Sequence, residues 1–248
     1  MNIKIALQLY TVRDETVKGF AETIKKVADV GYKGVEFAGY GGLSADEMKK
    51  VLEANNISAV SSHVGFGALK DNFDETVGYM KKLGAEYIAI PGVGGDMIKD
   101  FDSTVNTAKA MNELALKVKR AGLSLSYHNH SHEFLQKFYD FSIEEIFIKY
   151  APVLNIELDS GWSAATGIDN RAFIKQLGTR LDLVHIKDLD ASKTPVEIFT
   201  GTVDVKTVFE EAEKLGVKWA IVEQDVMKAY PAFESIKLSY DNIIKNCM

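Results

Sequence analysis

Cysteine is almost absent: Cys247 is the only one in 248 residues. A single thiol can form no intramolecular disulfide and no cysteine-based zinc site. Proline is scarce as well, with four residues, and no Pro/Gly/Ser-rich or low-complexity stretch marks a linker. The chain therefore reads as one domain, 1–248. No apolar run approaches the roughly 20 residues of a membrane span. The opening MNIKIALQLYTVRD has no apolar core of signal-peptide length. These features predict a cytoplasmic protein with no membrane partner. Basic residues are not in excess either: 29 Lys and Arg stand against 35 Asp and Glu, for a net charge of −6. Nucleic-acid binding usually needs a basic stripe, so no nucleic-acid partner is expected. A phosphorylated substrate is still compatible with this charge, since local Lys or Arg can meet one.

What is present is a repeated alternation. Strand-like runs begin near Ile3, Gly34, Ser58, Tyr87, Leu123, Leu154, Leu181 and Trp219, at the spacing of one βα unit. Helical periodicity lies between them, as in Phe20, Ile24, Val27, Ala28 and in Met111, Leu114, Val118. Ser44 with Glu47 spells a capping box, and Asp74, Ser142 and Asp169 are further cap candidates. Gly31, Gly84, Gly122, Gly178 and Gly216 each close a helical stretch before a strand. Eight such units in this length predict an α/β fold, a single (β/α)8 TIM barrel. GYGG at 39–42 does not match GxGxxG, so a dinucleotide crevice has little support. The stretch 132–141 reads as a long loop and a candidate lid.

All five histidines lie in or just after three of these runs: His63, then His128, His130 and His132, then His185. Acids keep the same company, at Glu36, Glu133, Glu157, Asp159 and Glu223. Strand alternation sorts them. His128 and His130 share one face of LSLSYHNH; Glu157 and Asp159 share one face of NIELD. His185 pairs with Lys187, and Glu223 with Asp225. The polar faces would line the C-terminal mouth of the barrel, where barrel enzymes work. One such residue is more often simply a satisfied polar group. Five strands with the same facing collect charge that needs a counter-charge, and a divalent ion supplies it. Imidazole together with carboxylate suits Mn, Zn or Co, with Mg as a further candidate.

The motifs LQLYTVRD, GVEFAGY, SSHV, YHNHSHEF, LDSGW, HIKD and VEQD, in this order, span nearly the whole chain. Together they resemble the xylose isomerase-like barrel superfamily of sugar (phosphate) isomerases, epimerases and dehydratases. The resemblance implies one divalent ion held by an acid from the fifth strand, Asp159 from the sixth, His185 from the seventh and Glu223 from the eighth. Where epimerases of that family carry a fifth-strand Glu, this chain has His128. Either His128 ligates, or the following loop presents Glu133; the YHNHxxEF pattern, resembling a subgroup signature, points to Glu133.

The resemblance further implies proton abstraction next to a sugar carbonyl through an ion-stabilised enediolate. Glu133 and Glu223 are the expected bases that also touch the ion. His128, His130 and Lys187 are expected as acid, base or orienting groups. Glu36, His63, Trp162, Gln8 and Tyr10 are expected to bind the sugar. Arg13 and Gly201-Thr202 are the only candidates for meeting a phosphate. The expected activity is isomerisation or epimerisation of a sugar or sugar phosphate. A dehydratase or lyase acting on a keto-sugar, keto-inositol or 3-keto-glycoside is the alternative. Abasic-site endonuclease chemistry would need more His and acid ligands and basic loops. A non-catalytic sugar-binding barrel would be expected to break the Asp159, His185, Glu223 set. A homodimer is common among similar proteins, but the sequence leaves the assembly open.

Overall fold

The computed structural model describes residues 3–248. Eight strands form its centre: β1 (Lys4–Gln8), β2 (Gly34–Phe37), β3 (Ser58–Ser62), β4 (Tyr87–Ile90), β5 (Ser124–His128), β6 (Asn155–Asp159), β7 (Leu181–Ile186) and β8 (Trp219–Val222). They pair in parallel, in the order β3-β2-β1-β8-β7-β6-β5-β4. The ring closes between β3 and β4 through a bridge of His63 with Ala89, where the Val64 N–H donates to the Ala89 carbonyl at 2.9 Å. With helices following the strands and covering the outside, the fold is the expected single (β/α)8 barrel.

The helices follow from local sequence. Phe101–Arg120 starts where Asp100 Oδ1 accepts the Ser103 N–H at 2.8 Å, and it buries Val105, Ala108, Met111, Leu114 and Val118 at helical spacing. Ser44 and Glu47 form the capping box read from sequence, Ser142 forms another with Glu145, and Asp169 caps Asn170–Leu177. Asp74 does not cap: Asn72 holds that position, and Asp74 sits in the first turn of Phe73–Leu83. There its charge still favours the helix dipole. The five helix-closing glycines all have positive φ. The stretch 132–141 is not an open loop. It contains most of a short helix, Ser131–Leu135, and a two-stranded ribbon of Lys137–Phe138 with Phe141–Ser142.

The apolar residues divide into two cores. A large one lies between strands and helices; a small one, Ala6, Val60, Tyr87, Leu183, Trp219 and Ile221, plugs the barrel near the N-terminal ends of the strands. Gly34 belongs to this plug, since a Cβ there would run into Val60 and the Trp219 ring. Above the plug the interior is polar. Strand registers slip between Val35 and Glu36 and between Ile156 and Glu157, so both irregularities fall beside inward-facing glutamates. Such bulges re-aim side chains next to functional sites. No helix among the described residues is long and apolar enough to cross a membrane.

Candidate active site

Four fully or nearly fully buried carboxylates meet above the plug: Glu36 from β2, Glu157 and Asp159 from β6, and Glu223 just after β8. Left alone they would repel one another and cost desolvation energy. Three imidazoles and one ammonium stand among them: His63, His128, His185 and Lys187. Glu36 Oε2 lies 2.6 Å from His185 Nε2 and 3.2 Å from His63 Nε2, and it accepts the Gln8 amide N–H at 2.7 Å. Glu157 Oε2 lies 2.7 Å from His63 Nε2 and 3.1 Å from His128 Nδ1. Lys187 Nζ is 2.8 Å from Asp159 Oδ2, 3.1 Å from Glu223 Oε2 and 2.7 Å from Asp225 Oδ2.

Charge states follow from this packing. Burial alone would push the His185 imidazole down, but Glu157, Glu36 and Glu223 hold it well above its usual range. His128 moves the other way: burial, then the charge of His185, keep it well below and therefore neutral. Burial would raise the Glu223 carboxyl, yet Lys187 and His185 hold it well below the usual carboxylate range.

His128, Asp159, His185 and Glu223 each offer one ligand atom, and these atoms all lie within 4.8 Å of one another. Their surroundings suit a divalent ion. Each imidazole has its far nitrogen tied to a buried carboxylate, His128 through Nδ1 to Glu157 and His185 through Nε2 to Glu36. That leaves His128 Nε2 facing Asp159 Oδ2 and Glu223 Oε2, each at 4.0 Å, and His185 Nδ1 at 3.0 Å from Glu223 Oε2. Carboxylates behind imidazoles are how metal-binding histidines are oriented. Asp159 is fixed from the other side: its Oδ1 caps the helix Ser160–Ala165, accepting the N–H groups of Gly161 at 2.9 Å and Trp162 at 2.8 Å. Its Oδ2 is buried and faces the Lys187 ammonium at 2.8 Å. A second group, His63, His128, Glu157 and His185, also lies within 4.8 Å. Its acid is already shared among imidazoles. The first group opens onto a cavity of about 470 Å³ whose walls include His128, His130, Glu223 and Asp225.

Glu133 is not with them. Its Oε1 accepts the Tyr127 hydroxyl at 2.6 Å and its Oε2 accepts the His130 N–H at 2.8 Å. Tyr127 points away from the barrel interior into the outer core, so Glu133 lies behind β5, where it caps Ser131–Leu135. The fifth-strand donor among the gathered atoms is His128. Gln8 and Glu36, expected against the sugar, are fully buried beneath the mouth and bonded to each other. Tyr10 and His63 do line the mouth. Trp162 lies with its ring 4.7 Å from Lys187 Nζ, and His130 stacks toward it at 6.4 Å. Both Trp162 Nε1 and His130 Nδ1 are buried without a hydrogen-bond partner among the described residues.

Two supporting residues were not singled out from the sequence. Asn129 brackets Asp159, accepting its N–H at 2.9 Å through Oδ1 and donating to its carbonyl at 3.3 Å. Ser160 Oγ donates to the His185 carbonyl at 2.9 Å. Both flank the acids and imidazoles of their motifs, and that adjacency was the available signal. The phosphate candidates already have partners, those of Arg13 being two residues of the mouth. Arg13 donates to the carbonyls of Tyr10 at 2.9 Å and Asp225 at 3.0 Å, and the Gly201 N–H donates to Asp188 at 2.9 Å.

The family model described as xylose isomerase-like TIM barrel matches residues 24–241. A solved sugar phosphate isomerase/epimerase from Parabacteroides distasonis is 26% identical, with TM-score 0.83 over 98% of both chains. A second one from that organism is 22% identical, with TM-score 0.79 over 98% of this chain and 94% of the other. A probable 3-DHS dehydratase from Bacillus anthracis is 11% identical, with TM-score 0.75 over 98% and 99%. The latter two likenesses show the fold alone. No curated protein matches the chain.

Proposed function

The chain belongs to the xylose isomerase-like TIM barrel family, and from that premise we propose that it is a divalent-metal-dependent isomerase or epimerase of a small sugar. The observation that carries this reading is the set His128, Asp159, His185 and Glu223, with Glu157 and Glu36 behind its two imidazoles. An ion held there would supply Lewis-acid polarisation of a carbonyl and its neighbouring hydroxyl, lowering the cost of an enediolate. The ion is of the Mn, Zn, Co or Mg kind.

The chain's own groups handle the proton. Burial holds the His130 imidazole below its usual range, so it is a neutral base at physiological pH, and its Nδ1 has no hydrogen-bond partner among the described residues. Glu223 and Asp225 line the same cavity and can receive or return a proton. Trp162 Nε1 offers an unused donor to a sugar hydroxyl, and its ring gives the sugar an apolar wall. Lys187 holds Asp159, Glu223 and Asp225 together and can meet developing negative charge.

A second reading is a dehydratase or lyase on a keto-sugar through the same site. The position of Glu133 favours it: without a fifth-strand carboxylate at the mouth, a pair of opposed glutamates passing a proton between sugar faces is missing. Elimination needs one base and one acid, and the neutral His130 can take the proton and, once charged, return it to the leaving oxygen.

The test is deuterium exchange from solvent into keto-sugars and keto-inositols by the metal-loaded protein, with product mass recorded. Exchange with retained mass supports isomerisation or epimerisation; loss of water or of a sugar unit supports the lyase. No exchange into any of them would sink both.

A further inference from the structure

Gln8 is fully buried, and both ends of its amide are committed. It is the last residue of β1 and caps the short helical turn Leu9–Val12, where its Oε1 accepts the Tyr10 N–H at 2.9 Å. That bond fixes which way the amide faces, since a main-chain N–H can only donate. The opposite end is therefore the NH2 group, and it donates to Glu36 Oε2 at 2.7 Å. Turned over, the amide would set N–H against N–H and a carbonyl against a carboxylate. Gln8 and Glu36 are register partners on the neighbouring strands β1 and β2, which is why the two side chains meet inside the barrel.

The same carboxylate oxygen lies 2.6 Å from His185 Nε2. With the Gln8 N–H directed at it, Glu36 Oε2 is an acceptor, and the hydrogen of this short contact belongs to the imidazole. Glu157 Oε2 also faces Nε2, but it is farther, at 3.3 Å, and is shared with His63 and His128. A hydrogen kept on Nε2 leaves Nδ1 as the nitrogen with a lone pair to offer. Nδ1 is the atom that faces Glu223, at 3.0 Å. The outer end of the chain is held as well. Arg13 donates to the carbonyls of Tyr10 at 2.9 Å and Asp225 at 3.0 Å, and its guanidinium lies 4.3 Å from the centre of the Tyr10 ring. Tyr10, in the wall of the mouth, is thus tied through its carbonyl to the loop after β8 and through its N–H to the interior.

We propose that Gln8 is a positioning residue, which through Glu36 sets which nitrogen of His185 is free for a divalent ion. This rests on the ion site proposed above, and it gives Gln8 a task beneath the mouth in place of the expected contact with a sugar.

Zinc titration, with proton–nitrogen spectra of protein carrying isotope-labelled histidine, tests it. In zinc-loaded wild type, His185 is expected to hold zinc on Nδ1 and hydrogen on Nε2. Gln8→Met keeps the bulk of the side chain and removes both amide bonds. Its zinc affinity should fall about tenfold, the lower end of the cost of losing a partner behind a ligand, because Gln8 stands one bond further back. The His185 Nε2–H resonance should shift at the same time, a change that lost packing alone does not produce. Gln8→Leu repeats the measurement should the first variant fail to fold. Asp169→Ala removes only a helix cap, and is expected to lower stability while moving neither reading. Zinc on Nε2 in wild type, or an unchanged affinity and resonance in a folded Gln8 variant, would overturn the proposal and leave the ion site standing. Wild-type protein that takes up no zinc removes the ion site, and this role with it.

Discussion

Strand β5 separates two groups of buried carboxylates that share a residue type and a depth but not a fate. On the barrel side, Glu157, Asp159 and Glu223 lie among His63, His128, His185 and Lys187. On the helix side, Glu133 and Glu144 are equally buried, but their company is a phenol, a main-chain N–H and the edge of His132. Both oxygens of Glu144 lack a hydrogen-bond partner among the described residues. Burial, and then the charge of Glu133, push its carboxyl up to about 8, so it holds its proton at neutral pH. A buried acid either gathers cations or keeps a proton. The first solution builds a charged site that an ion can enter; the second builds a silent piece of core.

The comparison breaks first, and furthest, at the ion. Asp159→Asn and His185→Ala are each expected to lower divalent-ion affinity more than about 100-fold, beyond the usual cost of losing an orienting carboxylate. His128→Ala should strip the ion as well, because His128 is the fifth-strand member of the gathered set. Glu133→Gln should leave affinity within about twofold, since its oxygens serve Tyr127 and the His130 N–H, although losing those bonds costs stability of about 1–3 kcal/mol. Titration with Mn or Zn, beside denaturant unfolding of each variant, reads both effects. Ion loss in Glu133→Gln together with ion retention in His128→Ala would reverse the assignment.

Lys187 sharpens the contrast at the next level. Its ammonium holds the Asp159 and Glu223 oxygens that an ion would share. In metal-free protein, Lys187→Met leaves buried acids uncompensated, and breaking such a pair typically costs about 3–5 kcal/mol. With metal bound, the ion takes over that compensation. The variant should therefore be much less stable than wild type without metal, nearly equal with it, and should bind the ion about tenfold more tightly, because a competing cation is gone. Urea unfolding with and without metal measures the gap. Equal destabilisation in both states would mean that Lys187 acts through packing alone.

This division was only partly legible in the chain. Period-two alternation placed His128, Glu157, Asp159, His185 and Glu223 on the inward faces, because a strand allows only two directions. Depth was not legible. The same alternation marks Gln8 and Glu36 as inward, but their position below the mouth depends on strand stagger and on the slip beside Glu36. Glu133 lies past the end of β5, where alternation no longer applies. The clue there was helical: Glu133 stands three residues after His130, as Glu47 stands after Ser44, and that spacing belongs to a helix start.

The effect furthest from the ion lies on the helix side and is read by pH. An ordinary glutamate titrates near 4.3, roughly, when unfolded; Glu144 in the fold titrates at about 8. Between these values the folded protein carries a proton that the unfolded chain has released. This contribution to stability is therefore present at low pH, is lost as pH rises through that window, and is fully lost above the folded value. Arg180, the cation that opposes the shift, donates from both Nη atoms to the carbonyls of Ile148, Ala151 and Leu154. Glu144→Gln keeps the shape and removes the titration. At about 1.4 kcal/mol per pH unit, its stability relative to wild type should rise by about 3 kcal/mol between roughly pH 5 and 8. Divalent-ion affinity should stay unchanged, because the barrel-side acids do not depend on this proton. Parallel stability profiles for the two proteins would show that Glu144 is ionised in the fold, and the two faces of β5 would then have solved the same problem in the same way.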